Sequence, residues 1–447
     1  MQMLRLDKNC QTPLYKQLGD AISAKITQGE FLPNERLPAI RTLALELEVN
    51  NTTIISAYKY LEQRNAVYSI TGSGTYVKPT ENPIRQELPK FTDCINFATT
   101  STDSELFPLR DFRNAFDSVL ARDGAKAFDY AGWRGYAPLR EVISQMLLKS
   151  EIISSPKNIQ IIPDTNTGIS LVADALLGAG DAVIIESPAP QRTMAIFAAR
   201  GVKILEVPLD KNGLDMEQFS FLAEKYMPKL FFLTPTYQNP TGLCYTEHTK
   251  EKILELAHKI NAYIIEEDNF SDFYYFEKPK TLKAADVHER VIYIKSFDKV
   301  LTSGIAGFIA FPKKIRNLRD SGGASGYIQR SLDYYFRDDK FDEHLAKMRE
   351  NYAGRYNRAI MATETFLSPY ASFIKPNGGL SLWVTLKGKH GNYIDKFSKH
   401  KVIVSPGDMF WIKPSLNKSF RLSFASASED EISRGVGIIA SVLNDGY

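Results

Sequence analysis

Residues 291–308 read VIYIKSFDKVLTSGIAGF, and their interpretation decides the fold of most of the chain. Residues 291–294 are a compact apolar run, as a strand buried on both faces requires. Lys299 follows, with Ser296 three residues before it and a glycine-containing loop after it. A lysine at a strand end beside small hydroxyl groups can form a Schiff base with an aldehyde cofactor. An isolated lysine is more commonly a solvated surface cation, and this stretch alone leaves both readings open.

Outward from it, further apolar runs bounded by turn residues occur at 183–185, 230–233, 263–265 and 307–311, most of them separated by helical stretches. Strands alternating with helices predict a mainly parallel sheet covered on both faces. Residues 380–386, 402–404 and 420–424 look like strands of a smaller unit. A helix closes it, opened by Ser428 and Glu431 at capping-box spacing.

The first eighty residues have a different texture. Thr12 and Pro13 make a helix start, after which Leu14, Leu18, Ile22 and Ile26 recur every fourth residue. Pro38 is read as opening a second helix through Leu47, and Asn50 as capping a third through Leu61. Two short strand signals between Val67 and Val77 flank Thr71-Gly72-Ser73-Gly74, a hairpin tip. Residues 79–90 carry Pro79, Pro83 and Pro89 among charges, which reads as a linker.

Two helices joined by a tight turn around Val49 make a helix-turn-helix, whose third helix would offer Asn50, Asn51, Thr52 and Thr53 to a major groove. Asparagine suits an adenine edge, and threonine suits a base, a methyl group or a phosphate. Arg36, Arg41, Lys59 and Arg64 are available for phosphates. The alternative is a small helical bundle that contacts other proteins. Residues 1–80 hold nine Lys plus Arg against seven Asp plus Glu, so one copy should bind DNA weakly and two copies on a dimer should bind well.

Composition sets outer limits. With 447 residues, 44% hydrophobic and 24% charged, the chain is long enough for two or three folded units, and its net charge of +3 is too small to speak for or against a polyanionic partner. Cys10, Cys94 and Cys244 lie far apart, which fits a reducing cytoplasm better than a disulfide framework. The six histidines show no metal-ligand spacing, so no metal is expected. No run approaches membrane-spanning length, and residues 1–12 lack a signal-peptide pattern.

The ordered motifs add a resemblance. "PLYKQL" at 13–18, "GEFLPNERLPAIRTLALELEVNNTTIISAYKYLEQ" at 29–63 and "GSGTYV" at 72–77 resemble the GntR-type winged helix-turn-helix. "YAGWRGYAPLREVI" at 130–143, "TPTYQNPTG" at 234–242, "IIEEDNFSDFYY" at 264–275, "SFDKVLTSGIAG" at 296–307, "PNGGLSLWV" at 376–384, "VSPGDMF" at 404–410 and "FRLSFA" at 420–425 resemble the fold-type-I aminotransferases. Together they look like the MocR subfamily of GntR regulators. The resemblance implies a winged helix at 1–78, a linker at 79–90 and an aminotransferase-like unit at 91–447. That unit would hold a large α/β domain, roughly 120–330, and a small α+β domain, roughly 331–447.

It further implies DNA contact by Arg41, by Asn50, Asn51, Thr52 and Thr53, and by the wing at Thr71, Gly72 and Gly74. Pyridoxal 5'-phosphate would be held by Lys299 as Schiff-base lysine, Asn239 on the pyridine hydroxyl, Ser296 on the phosphate and Glu267 near the pyridine nitrogen. Arg421 would grip the carboxylate of an amino-acid-like effector, with Arg192 as a second cation. A homodimer is implied by the same analogy.

Several positions depart from the family pattern. Ala306 replaces a phosphate-binding arginine, Glu267 an aspartate, Asn269 a tyrosine, Pro190 a stacking ring and Asp164 a glycine of the phosphate loop, while Asp298 stands ready to pair with Lys299. Asn51 replaces an arginine, which favours an A·T-rich operator at that position. These changes predict weak or absent cofactor binding and a DNA-binding regulator that senses a small anion. An active aminotransferase with a DNA-binding extension is the alternative.

Overall fold

The computed structural model describes residues 6, 10, 12–27, 31, 35–70, 74–78, 94–302, 304–315, 318–319, 324–388, 393–412 and 418–444. Thr71 and Gly72 of the expected wing tip, and the expected linker at 79–90, lie outside them. The chain divides into two compact units, Met1–Thr92 and Asp93–Tyr447.

In the first unit, α1 (Leu14–Thr27), α2 (Ile40–Glu46) and α3 (Asn51–Gln63) pack with the antiparallel hairpin of β1 (Val67–Ile70) and β2 (Gly74–Val77). Leu18, Ile22, Leu43, Ile54, Ala57, Leu61, Val67 and Val77 are almost wholly buried in its core. The fourfold spacing in α1 and the three- and four-residue spacings in α3 put these side chains on one face of each helix. Helix α2 starts two residues later than the position of Pro38 suggests. Ala39 is extended, with φ −62° and ψ 140°, and the Pro38 carbonyl accepts a 2.7 Å hydrogen bond from the Tyr58 hydroxyl. Pro38 therefore serves as a fixed link between the second and third helices.

The second unit contains an eight-stranded and a five-stranded sheet among the described residues. The large sheet is built from β4 (Ile159–Ile162), β5 (Ala182–Ser187), β6 (Lys203–Asp210), β7 (Gly213–Leu214), β8 (Leu230–Leu233), β9 (Tyr263–Glu267), β10 (Val291–Ser296) and β11 (Gly307–Ala310). Its order is β4-β11-β10-β9-β8-β5-β6-β7. The run from β10 through β9, β8 and β5 to β6 is parallel, and β11 joins antiparallel to both β10 and β4. Helices pack on both faces, so β8 and β11 are buried at every position.

The second sheet combines β3 (Ile95–Phe97), β12 (Ala371–Ile374), β13 (Ser381–Leu386), β14 (Val402–Pro406) and β15 (Ser419–Ser423) in the order β12-β13-β15-β14-β3. Strand β3 pairs parallel to β14, Ile95 opposite Val402, although it precedes the whole large sheet in the chain. The helix Glu429–Asn444 closes this layer. Its capping box is formed as the spacing suggests, Glu431 N donating to Ser428 Oγ at 3.3 Å and Ser428 N to Glu431 Oε2 at 2.9 Å.

Candidate functional site

In the first unit, Asn50 is extended and its Oδ1 accepts the Thr52 backbone N–H at 3.1 Å, which starts α3 cleanly. Burial of Ile54, Ala57 and Leu61 on the opposite face leaves Asn51 and Thr52 exposed and Thr53 half-buried at the same helix end. Asn50 thus has its side-chain oxygen committed to the cap. Arg41 is exposed on α2. In the hairpin Gly74 has φ +142°, which favours glycine, and the Arg36 side chain packs across it, its Nε 2.7 Å from where a Cβ would stand.

The second unit concentrates polar groups at the carboxyl ends of β8, β9 and β10, where an open α/β sheet leaves a crevice. Lys299 lies just beyond β10, its side chain 13% exposed, and its ammonium is ion-paired with Asp298. The Asp298 backbone N–H is held by Ser296 Oγ at 3.1 Å. Glu267 ends β9 and accepts a 2.9 Å bond from Asn269 Nδ2, while Asn269 Oδ1 receives the Ser296 N–H at 3.3 Å. Burial, and then the carboxylates of Glu186 and Asp298, push the Glu267 carboxyl up to about 7 against the opposing pull of Lys299 and Asn269.

Asn239 and Arg421 meet, Arg421 Nη1 donating to Asn239 Oδ1 at 2.8 Å. Arg421 is 8% exposed; Nη2 donates to the Ala98 carbonyl at 2.8 Å and to Ser405 Oγ at 3.1 Å, and the guanidinium lies 5.2 Å from the Phe410 ring centroid. Its Nε is buried with no hydrogen-bond partner among the described residues, and burial lowers the guanidinium's pKa to about 10. Arg192 sits apart from this group, exposed on the first turn of the helix Gln191–Ala198 and bonded to none of Lys299, Asn239 or Arg421.

Three departures take definite form. Asp164 is the N-cap of the helix Thr165–Leu176, its two carboxylate oxygens accepting Thr167 N at 2.9 Å and Thr167 Oγ1 at 3.1 Å. Ala306 is 1% exposed and brings neither charge nor a polar side chain. Pro190 occupies the N-cap position of the helix Gln191–Ala198, with no ring π-system.

Sequence reading passed over a group that shapes this crevice. Glu186, fully buried in β5, accepts Thr234 N at 2.6 Å, Gln238 Nε2 at 3.0 Å and the Tyr245 hydroxyl. Gln238 in turn receives the N–H and hydroxyl of Thr241. This network fixes the turn that presents Asn239. A lone acid interrupting the apolar run of β5 was the available signal, since a buried carboxylate must find donors. No group of acids, histidines and cysteines suited to a metal occurs among the described residues, and none of their helices is long and apolar enough to cross a membrane.

Comparison with known proteins agrees with both halves. Residues 14–77 match the bacterial regulatory proteins of the gntR family, and residues 92–439 match aminotransferase class I and II. The HTH-type transcriptional regulator YdfD of Bacillus subtilis is 26% identical over 95% of each chain. The HTH-type transcriptional regulator NorG of Staphylococcus aureus is 25% identical over 89% of this chain and 97% of its own. Among solved structures, the kynurenine aminotransferase of Pyrococcus horikoshii, in complex with PMP, superposes with a TM-score of 0.76 at 25% identity, covering 81% of this chain and 94% of that one. On these matches the chain belongs to the aminotransferase class I and II family and carries a gntR-family helix-turn-helix domain in front, an arrangement consistent with the MocR subfamily.

Proposed function

We propose that the chain is a DNA-binding transcription regulator whose aminotransferase-like unit senses a small carboxylate-bearing molecule. The observation that carries this reading is the order of the two matches, a gntR-family domain ahead of an aminotransferase domain, shared end to end with proteins named as transcription regulators. Operator contact falls to Asn51, Thr52 and Thr53 at the exposed end of α3, with Arg41 on phosphates. Two such domains on a homodimer read two half-sites, and an effector acts by favouring one spacing of them.

For the crevice, the reading is that pyridoxal phosphate binds weakly or not at all. The residues suit it poorly. The Asp164 carboxylate fills the helix terminus on which a phosphate would rest, Ala306 offers no cation, Pro190 offers no ring and Lys299 is engaged by Asp298. Each missing charge-assisted hydrogen bond is worth about 1.5–3 kcal/mol, so together these changes weaken binding by a few powers of ten. Arg421, with a buried partnerless Nε, remains suited to an effector carboxylate.

Selection of duplexes from a random pool by the full chain tests the first half, and the regulator reading fails if no sequence is enriched. Visible spectroscopy with excess pyridoxal phosphate tests the second. The retained Lys299 is what favours the competing reading of a working aminotransferase, which requires a stable coloured holoprotein that turns over amino acids.

A further inference from the structure

The two faces of β9 and β10 serve different purposes. Glu267 and Ser296 point toward the helix Thr165–Leu176, whose Ile169 and Val172 share a core with Ile265, Ile292 and Ile294. The alternation of a strand sends Tyr293 and Lys295 to the other face, and Asp268, just past β9, joins them there. On that face a cavity of about 300 Å³ opens, at the lower end of the volumes that small-ligand pockets occupy.

Its floor is charged. Lys295 donates to Ser271 Oγ at 2.9 Å and pairs with Asp272 at 2.9 Å and Asp268 at 3.6 Å. Asp268 also accepts the Tyr293 hydroxyl and both the N–H and hydroxyl of Ser271. Burial works against its ionisation, but Lys295 and these donors outweigh it and hold the carboxyl below its ordinary value. Two carboxylates against one ammonium leave the floor with one net negative charge.

The mouth has the opposite sign. Of the lysines that line the cavity, Lys149 is paired with Asp342 at 2.8 Å and Lys280 with Glu151 at 3.3 Å. Lys278 instead rests its ammonium on the neutral Ser150 Oγ at 2.8 Å and, among the described residues, makes no ion pair within 4.0 Å. The rings of Phe297, Phe308 and Phe341 also line the cavity.

We propose that this cavity is a second small-molecule site that takes an amino acid with an apolar side chain. The ligand's ammonium faces Asp272, its carboxylate faces Lys278, and its side chain lies against the phenylalanine rings. The proposal concerns a face of the sheet that Arg421 does not reach, so it stands whether or not the crevice reading holds.

Isothermal titration of the full-length protein with L-phenylalanine tests it, alongside 3-phenylpropionate, which lacks the amine, and phenethylamine, which lacks the carboxylate. Saturable binding of phenylalanine is expected, about ten-fold weaker or more for either fragment and for Lys278→Met. Lys278 is exposed, and an unaltered melting temperature confirms that its variant folds. Absence of saturable phenylalanine binding overturns the proposal. So does binding whose affinity Lys278→Met leaves unchanged, because the ligand then sits elsewhere. Equal binding of 3-phenylpropionate overturns the dipolar fit.

Discussion

Replacing Asp164 by glycine isolates the most consequential departure in the crevice. The carboxylate caps the helix Thr165–Leu176 through two bonds to Thr167, and glycine is a tolerated N-cap, so the stability cost should be only a few tenths of a kcal/mol. Its extended backbone, φ −159° and ψ 168°, suits any residue. The electrostatic gain is larger. A carboxylate about 5 Å from a phosphate repels it by about 3 kcal/mol per charge at an effective dielectric constant of about 20. The substitution also frees the helix N-terminus to receive an anion. Together these effects predict an affinity for pyridoxal phosphate about 100-fold or more above that of the parent. Spectrophotometric titration reads it, with Lys299→Ala as the control that abolishes the colour, and urea unfolding checks the small stability cost. If the parent already binds the cofactor tightly, or if Asp164→Gly leaves its affinity within about three-fold, the electrostatic reasoning is wrong.

Three other outcomes follow from the same structure. Asn51→Ala should relax the preference for A·T at one operator position while leaving overall duplex affinity within about ten-fold, as read by binding-site selection; an unchanged preference removes Asn51 from the base-reading set. Tyr58→Phe deletes the 2.7 Å bond to the Pro38 carbonyl and should destabilise the first unit by about 1 kcal/mol in thermal melts, with no effect on the second unit's transition. For Glu267, the folded pKa of about 7 lies above the ordinary 4.5, so the folded state binds the proton more tightly and stability falls as pH rises between those values. Glu267→Gln should flatten that decline and be the more stable protein at pH ~8, by about 3 kcal/mol at most; identical pH profiles would contradict the assignment.

The first unit was legible residue by residue because its signals are local. Asn50 caps α3 within two residues, and the periodic Leu18 and Ile22 face a core built from neighbouring helices. Only the start of α2 was displaced, where Tyr58, twenty positions further on, claims the Pro38 carbonyl. In the second unit the apolar runs of β8 and β10 announced themselves, whereas β4, β6 and β12, and the very short β3 and β7, did not. Strand β4 is interrupted by the buried Gln160, whose amide reaches the Arg319 carbonyl; β6 alternates and contains Pro208; β12 is short and half-exposed. Lys299 and Asp298 are adjacent, so their pairing could be anticipated. The meeting of Arg421 with Asn239 and the Ala98 carbonyl joins three distant parts of the chain, and no local pattern encodes it.

The parallel seam between Ile95–Phe97 and Val402–Pro406 has a consequence for biogenesis. During translation the helix-turn-helix, with a core of its own, can become structured while most of the polypeptide is still unmade. Strand β3 must wait for β14, and Arg421 must be synthesised before it can clasp the Ala98 carbonyl. A chain whose synthesis stops in between therefore has a folded helix-turn-helix but lacks the strand and the arginine that complete its second sheet.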